Sequence, residues 1–249
     1  MVSTADNVSD ELRIERLTWP EIEDAIARGR RRAIVVAGAT EQHGPHLVEA
    51  TDTLLGEALA LRLAQRLGDA LVAPVIRPGC SDHHLGFAGT ISISPELLMG
   101  LFDAYLGSLR RHGFTSFFVF SSHGGNYPVL ARWHPADPHG VTVLTDADGY
   151  LAAMLAGLRR FHRDDATIPH ADASETAEML ALHPELVRTD RIVRGFVGEL
   201  GLDELISRGL REITVNGVLG DPVGATAEMG HAVIDSVVEF LARAADASS

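Results

Sequence analysis

The sequence predicts an α/β fold, a three-layer α/β/α sandwich with a mostly parallel central sheet. Three observations carry this. Four apolar runs of strand length alternate with helix-length segments, the order of parallel strands joined by crossover helices. "AIVVAG" (33–38) is apolar without interruption, as in a strand covered on both faces. The length, 249 residues, suits one such domain spanning 1–249, with residues 1–12 a flexible polar tail.

The elements follow in order. "TWPEIEDAIARG" opens with Thr18 as N-cap and Pro20 in the first turn and stops at Gly29, a short helix. "AIVVAG" is the first strand, and "TDTLLGEALALRLAQRLG" an amphipathic helix ending at Gly68. "ALVAPVIRPG" is the second strand. A long helix then runs from Ser94 to Gly113, and "TSFFVFSSHGGN" is a third strand entering a glycine-rich loop. "PVLARW" begins a further helix, and "VTVLTD" (141–146) is the fourth strand. "DASETAEMLALHP" is a helix stopped by Pro184, and "GATAEMGHAVIDSVVEFLARAA" closes the chain as a long amphipathic helix. Segment 186–216 reads as a lid, an oligomer contact or an extra packing element.

Composition excludes several classes. A net charge of −13 disfavours nucleic acid and anionic membranes as partners. No apolar run is long enough to span a bilayer, and the polar, acidic first residues lack a signal peptide's pattern. The single cysteine, Cys80, rules out an intrachain disulfide. Together these favour a cytoplasmic location. There is no G-x-S-x-G elbow, no Walker loop and no dinucleotide-binding glycine motif.

Ligands of open α/β sheets bind beyond the carboxyl ends of the strands. Strand one ends in "TEQHGPH" and strand three in "SSHGGN". If the two strands lie close together, Glu41, His43 and His123 share a crevice, with Asp52 at the start of the next helix on the same edge. Oxygen and imidazole donors together suit Zn²⁺, Mn²⁺ or Fe²⁺. Each residue also has a plainer reading. Asp52 reads equally as an N-cap, and Asp172 with Glu175 has the spacing of a capping box. A lone loop histidine is more often hydrogen-bonded than a ligand; two strand ends that both set histidine next to glycine shift that balance. Asn126 orients the loop or the substrate, and Cys80 reads as a packed residue. His112, His162, His183 and His231 lie on predicted helices or their ends and read as structural or surface residues.

Five segments in order, "ATEQHGPHL" followed by "TD", "GCSDHHLGFAGTISIS", "HGFTSFFVFSSHGGN", "HADASETAEML" and "NGVLGDPVGATAEMG", resemble the creatininase (creatinine amidohydrolase) family over most of residues 33–230. The resemblance implies an α/β/α amidohydrolase, a homo-oligomer and usually a hexamer, with two divalent metal ions, zinc first and manganese or iron as alternatives. It puts Glu41 and His123 on one metal and His43 on the other, with Asp52 bridging and Glu175 completing the ligands of the second metal. His170 becomes a proton carrier near the substrate, and a metal-bridging hydroxide attacks the amide carbon. His46 and Glu49 receive no metal role and are expected near the ligands or at the surface. The chain departs from creatinine-cleaving members. Gly125 stands where they have a metal-binding Glu, and neither Trp19 nor Trp133 matches their substrate-covering tryptophans. Ala173 and Ala177 also differ from relatives. "FAGTISI" and "GVLGDP" are similar to the branch that includes the mycofactocin-system peptidase. The resemblance therefore implies a cyclic or small amide as substrate, with a modified peptide as the alternative and a metal-binding homologue without turnover as the rival.

Overall fold

The computed structural model describes residues 11–163 and 169–246. Four parallel strands form one sheet: β1 (Arg32–Ala37), β2 (Ala70–Val72), β3 (Ser116–Ser121) and β4 (Val141–Val143), in the order β2-β1-β3-β4. The chain steps from β1 to β2 on one side, then returns to place β3 on the other side of β1. That reversal is a topological switch point, where two diverging connections open a crevice at the strands' carboxyl ends.

The helices are α1 (Trp19–Ala27), α2 (Thr51–Leu67), α3 (Pro95–Arg111), α4 (Tyr127–Leu130), α5 (Ala147–Arg159), α6 (Ala173–Leu182), α7 (Leu202–Arg208), α8 (Leu210–Ile213) and α9 (Ala227–Asp246). Helix α2 packs on β1 and β2 and on α9, which also holds α5 and α6; α3 packs on β1 from the opposite face, as right-handed crossovers require. The layer between is dry: Ile34, Phe118 and Phe120 from the sheet meet Leu59, Leu63, Leu98 and Phe102 from the helices, all 1 % exposed or less. All four expected strands form, although the second stops at Val72 and the fourth at Val143, and the helix expected from "PVLARW" is a single turn. Helix α5 was not among the expected elements. Asp146 starts it by accepting a bond from the Gly149 amide at 2.8 Å, and its apolar side chains pack in the main core.

One expectation changes and one narrows. Residues 1–10 of the expected tail lie outside the described residues. Residues 11 and 12 are not tail: Leu12 is 4 % exposed, its carbonyl accepts from the Val72 amide at 2.8 Å, and Glu11 pairs with Arg13. Segment 186–216 is a packing element. Leu200, Leu205 and Leu210 form a small core with Leu219 and Phe87, and Arg211 stacks over the Phe87 ring at 4.7 Å. No helix among the described residues is long and apolar enough to cross a membrane.

The α6–α9 contact sets the position of α6 and has no slack at Gly230, where an added Cβ would press on the Ala177 carbonyl. Gly230→Ala should therefore destabilise the fold by about 1–3 kcal/mol through overpacking. The exposed helical Gly100, with nothing near its Cβ position, is the control: Gly100→Ala should stabilise by about 0.5–1 kcal/mol. Urea midpoints of the two variants check both signs.

Candidate active site

The site follows from the β1–β3 pairing. Ala37 stands opposite Ser121, so the loops leaving both strands run side by side. Ser121 Oγ donates to the Ala37 carbonyl at 2.8 Å and receives the His123 amide at 3.0 Å. The Asn126 amide group donates to the Gly38 carbonyl and to Ser121 Oγ, both at 3.1 Å, while its oxygen accepts from the Cys80 amide at 2.9 Å. One buried side chain thus clamps three loops, and Asn126 orients the backbone rather than a ligand. Ser122 Oγ adds a bond to the Asp52 carbonyl at 2.7 Å, pinning the start of α2 beside the same loop.

Glu41, His43, Asp52, His123, His170 and Glu175 all converge on this edge, each less than a tenth exposed. Two overlapping groups stand out: Glu41, Asp52 and His123, and His43, Asp52 and Glu175. Asp52 belongs to both. Its Oδ2 lies 3.5 Å from His123 Nδ1, and its Oδ1 lies 3.4 Å from His43 Nε2. Glu41 Oε1 is 3.2 Å from His123 Nδ1, and Glu175 Oε2 is 3.8 Å from His43 Nε2. A third group joins Glu41 and His43 to His170. Both oxygens of Glu41, Oδ2 of Asp52 and Nε2 of His43 are buried without a hydrogen-bond partner. Such atoms are costly unless something else satisfies them, and oxygen and imidazole lone pairs turned toward one another fit a divalent cation.

The imidazoles are oriented for this. His43 Nδ1 donates to the Glu41 carbonyl at 3.0 Å, and His123 Nε2 donates to the Cys80 carbonyl at 3.2 Å. Each therefore turns its other nitrogen, bare in the neutral ring, into the cluster, the arrangement common to metal-binding histidines.

The plainer readings resolve separately. Asp52 sits inside the first turn of α2 and makes no capping bond. Asp172 does cap α6, with Oδ1 accepting from the Ser174 and Glu175 amides. Glu175 reaches one residue further back than a capping box, to the Ala171 amide at 2.5 Å, and still faces His43. His46 is fully buried, with Nε2 2.8 Å from Thr176 Oγ1 beside Glu175, and Glu49 is half-buried. His112 and His231 are exposed, as is His162, and His183 is half-buried.

Two residues escaped sequence reasoning. His83 and His84, on the short turn 82–84, enter the crevice: His84 Nε2 lies 3.4 Å from Glu41 Oε1, and the His83 ring stacks on His123 at 5.7 Å. The signal was present in "CSDHHLGF", but nothing local says that this turn folds back over β1. Gly125 adjoins them. An added Cβ there would meet the His123 and His83 rings and the Cys80 carbonyl, so this backbone has no room for a larger side chain.

Charge explains the remaining features. Burial pushes His43 down, but Asp52, Glu175 and Glu41 outweigh it and hold its pKa at about 10. His123 is likewise pushed down by burial and raised by Glu41 and Asp52, to about 9. Burial, helped by the nearby carboxylates Asp52 and Asp172, raises Glu175 to about 8 against the pull of His43. His170 is kept neutral by burial and by His43, and His83 drops to about 4 through burial and the His123 charge. The cluster draws protons because it lacks other positive charge.

A carboxylate–imidazole cluster at the switch point of a parallel sheet suits an enzyme that uses metal ions to polarise a carbonyl and activate water. The chain is accordingly a hydrolase acting on carbon–nitrogen bonds. It belongs to the creatininase family: the model described as creatinine amidohydrolase matches residues 15–245. The mycofactocin precursor peptide peptidase of Mycolicibacterium smegmatis is 34 % identical over 221 residues, covering 82 % of this chain and 80 % of that one. The solved structure titled "Creatininase Mn" superposes with a TM-score of 0.76 at 28 % identity, covering 94 % of this chain and 97 % of that chain. A mutant creatininase described as "Zn-Zn type" gives 0.74 at 28 % identity, covering 95 % and 97 %.

In the metal-free protein the raised pKa values of His43 and His123 couple to stability. Both lie above the ordinary value of about 6.5, so their contribution is complete below that pH and is lost as pH rises through 9 to 10. His43 and His123 would give up those protons on holding a divalent ion. Zinc added to metal-free protein near pH 8 in weak buffer should release protons, read with an indicator dye, and its affinity should fall as pH is lowered. Uptake without proton release would place the ion elsewhere.

Proposed function

We propose that this chain, folded as a single domain, is a two-metal amidohydrolase that cleaves a peptide-type amide. The observation that carries the two-metal reading is Asp52, whose two carboxylate oxygens face different ligand groups. Glu41 and His123 would hold one ion with Asp52, and His43 and Glu175 the other. Zinc is the first candidate, with manganese or iron as alternatives, because all three accept mixed oxygen and imidazole donors. Bound there, the ions supply Lewis-acid polarisation of the carbonyl and lower the pKa of water. His170 donates its Nε2 proton to the Gln42 carbonyl at 2.7 Å, which leaves Nδ1 bare and turned toward the cluster. Nδ1 can take a proton from the attacking water and return it to the leaving nitrogen.

The shape of the crevice supports a substrate that extends on both sides of the cleaved bond. A central cavity of about 60 Å³, lined by Glu41, Asp52 and four histidines, shares Gly124, Pro169 and Glu175 with a neighbour of about 310 Å³. It shares His83 and Gly125 with another of about 190 Å³, whose lining has no residue in common with that of the first neighbour. The larger neighbour is walled by Tyr127, Tyr150, Leu151 and Met154, which suits an apolar or aromatic group. A small ring would fill only the centre. The greater identity to the peptidase, 34 % against 29 % for the creatinine amidohydrolase of Pseudomonas putida, points the same way. A homo-oligomer, a hexamer by family resemblance, and a cytoplasmic setting are expected from the sequence.

Asp52→Asn and His123→Ala should each lower bound metal, measured by atomic emission, and reduce amide hydrolysis at least about 100-fold while the fold persists by circular dichroism. A panel of peptide amides and small cyclic amides assayed with metal-loaded enzyme decides the substrate. Cleavage of cyclic amides alone would overturn the peptide reading, and cleavage of none would favour a metal-binding homologue without turnover.

A further inference from the structure

Four imidazoles surround the carboxylates, and one is held the other way round. His43, His123 and His170 each spend their ring N–H on a backbone carbonyl, so that a bare nitrogen faces the cluster. His84 has no such carbonyl. Its Nδ1 lies 3.1 Å from Gln42 Nε2.

The orientation of the Gln42 amide decides what that contact means. Its Oε1 faces the Gly44 amide at 3.0 Å, and its Nε2 faces the Gly217 carbonyl at 3.2 Å. The opposite assignment would set oxygen against a carbonyl and NH₂ against an N–H, so the amide is fixed as it stands. Gln42 Nε2 has two hydrogens. His170 Nε2 also lies 3.0 Å away, but it already carries the proton required by its 2.7 Å contact with the Gln42 carbonyl. The two hydrogens therefore go to the Gly217 carbonyl and to His84 Nδ1. An Nδ1 that accepts leaves the proton of the neutral ring on Nε2.

His84 Nε2 lines the central cavity, 3.4 Å from Glu41 Oε1, and does not complete a hydrogen bond to it, since Oε1 is left without a partner. With His123 turned to the carboxylates, a carbonyl oxygen entering the cavity would meet the bare Nδ1 of His170 and an N–H from this ring. We propose that His84 is a catalytic residue of this enzyme, a neutral N–H donor to the substrate's carbonyl oxygen as negative charge develops there, and that Gln42 is the positioning residue that keeps its proton on the cavity side. Only a hydrogen bond is involved; the proton stays on His84 throughout, and the proton taken from water moves through His170. This donor role rests on the hydrolase reading given above, whereas the position of the His84 proton does not.

Neutron diffraction from deuterated crystals of the zinc-loaded protein tests the proton. A deuteron on His84 Nε2 and none on Nδ1 is expected; the reverse, or zinc bonded to Nε2, overturns the inference. Kinetics with the peptide amide cleaved best test the role. His84→Phe should keep its zinc and its KM and lose about 100- to 1,000-fold in kcat, the usual cost of one oxyanion donor. His84→Gln, which keeps an amide N–H near the Nε2 position, should recover to within about tenfold of wild type. Gln42→Glu, which removes the N–H that Nδ1 accepts, should lower kcat and move the deuteron to Nδ1. A His84→Phe enzyme within about threefold of wild type, or one that loses zinc, overturns the donor role. Should His84→Phe fail to fold, an inactive but folded, zinc-containing His84→Gln together with a bare Nε2 overturns it. A wild type that cleaves no amide at all overturns the hydrolase reading and the donor role with it, while the diffraction result still decides the proton.

Discussion

Three carboxylates buried at one point are the constraint on which the rest of this structure depends. Glu41, Asp52 and Glu175 come together at the carboxyl edge of β1 and β3 with almost no access to water. Burying one unpaired carboxylate is expensive, and burying three within reach of one another is untenable without positive charge. The surroundings answer that need with turned imidazoles rather than with Lys or Arg. A fixed cation would form permanent ion pairs, whereas imidazoles that can lose their protons leave room for metal ions. The raised pKa values of His43 and His123 express the same demand in a molecule with only protons to meet it.

The scaffold holds that cluster by tying backbone to backbone. Asn126 joins the loops after β1 and β3 to the Cys80 loop, and Ser122 joins the second of these to α2. His46 does the same for α6 through Thr176, and its carbonyl accepts from the Arg188 amide, linking the packing segment to the site. Ligand residues thus come from four separated stretches, but each is anchored within a residue or two of its side chain. Precision of this kind is what preorganised chemistry requires.

Substrate choice is built on other surfaces. Gly125 places no side chain at the centre, where its neighbours leave no room for one. The turn bearing His83 and His84 then fills space beside it. The packing segment 186–216 walls the crevice with Leu205 and Ile206 and leaves the flanking cavities.

The strands, most helices and half of the cluster were legible in the sequence because they are local. An unbroken apolar run reads as a buried strand whatever surrounds it, and "TEQHGPH" sets Glu41 and His43 at its end. The end of strand three set His123, and the start of the next helix Asp52, on the same edge; the family resemblance extended that reading to His170 and Glu175, and all of these converge on the site. Helix α5 went unseen because the sequence reading stopped the preceding strand at Asp146, the residue that caps α5. His83 and His84 escaped because their approach to Glu41 is a contact between distant parts of the chain, closed by the packing of Leu205, Leu210 and Phe87. The sequence by itself determined which side chains were available and on which strand ends they stood. Only the tertiary structure decided which ring nitrogen of His84, His123 and His170 faces the carboxylates, because that depends on a carbonyl or an amide supplied by a remote segment. Local pattern carries no information about such a partner.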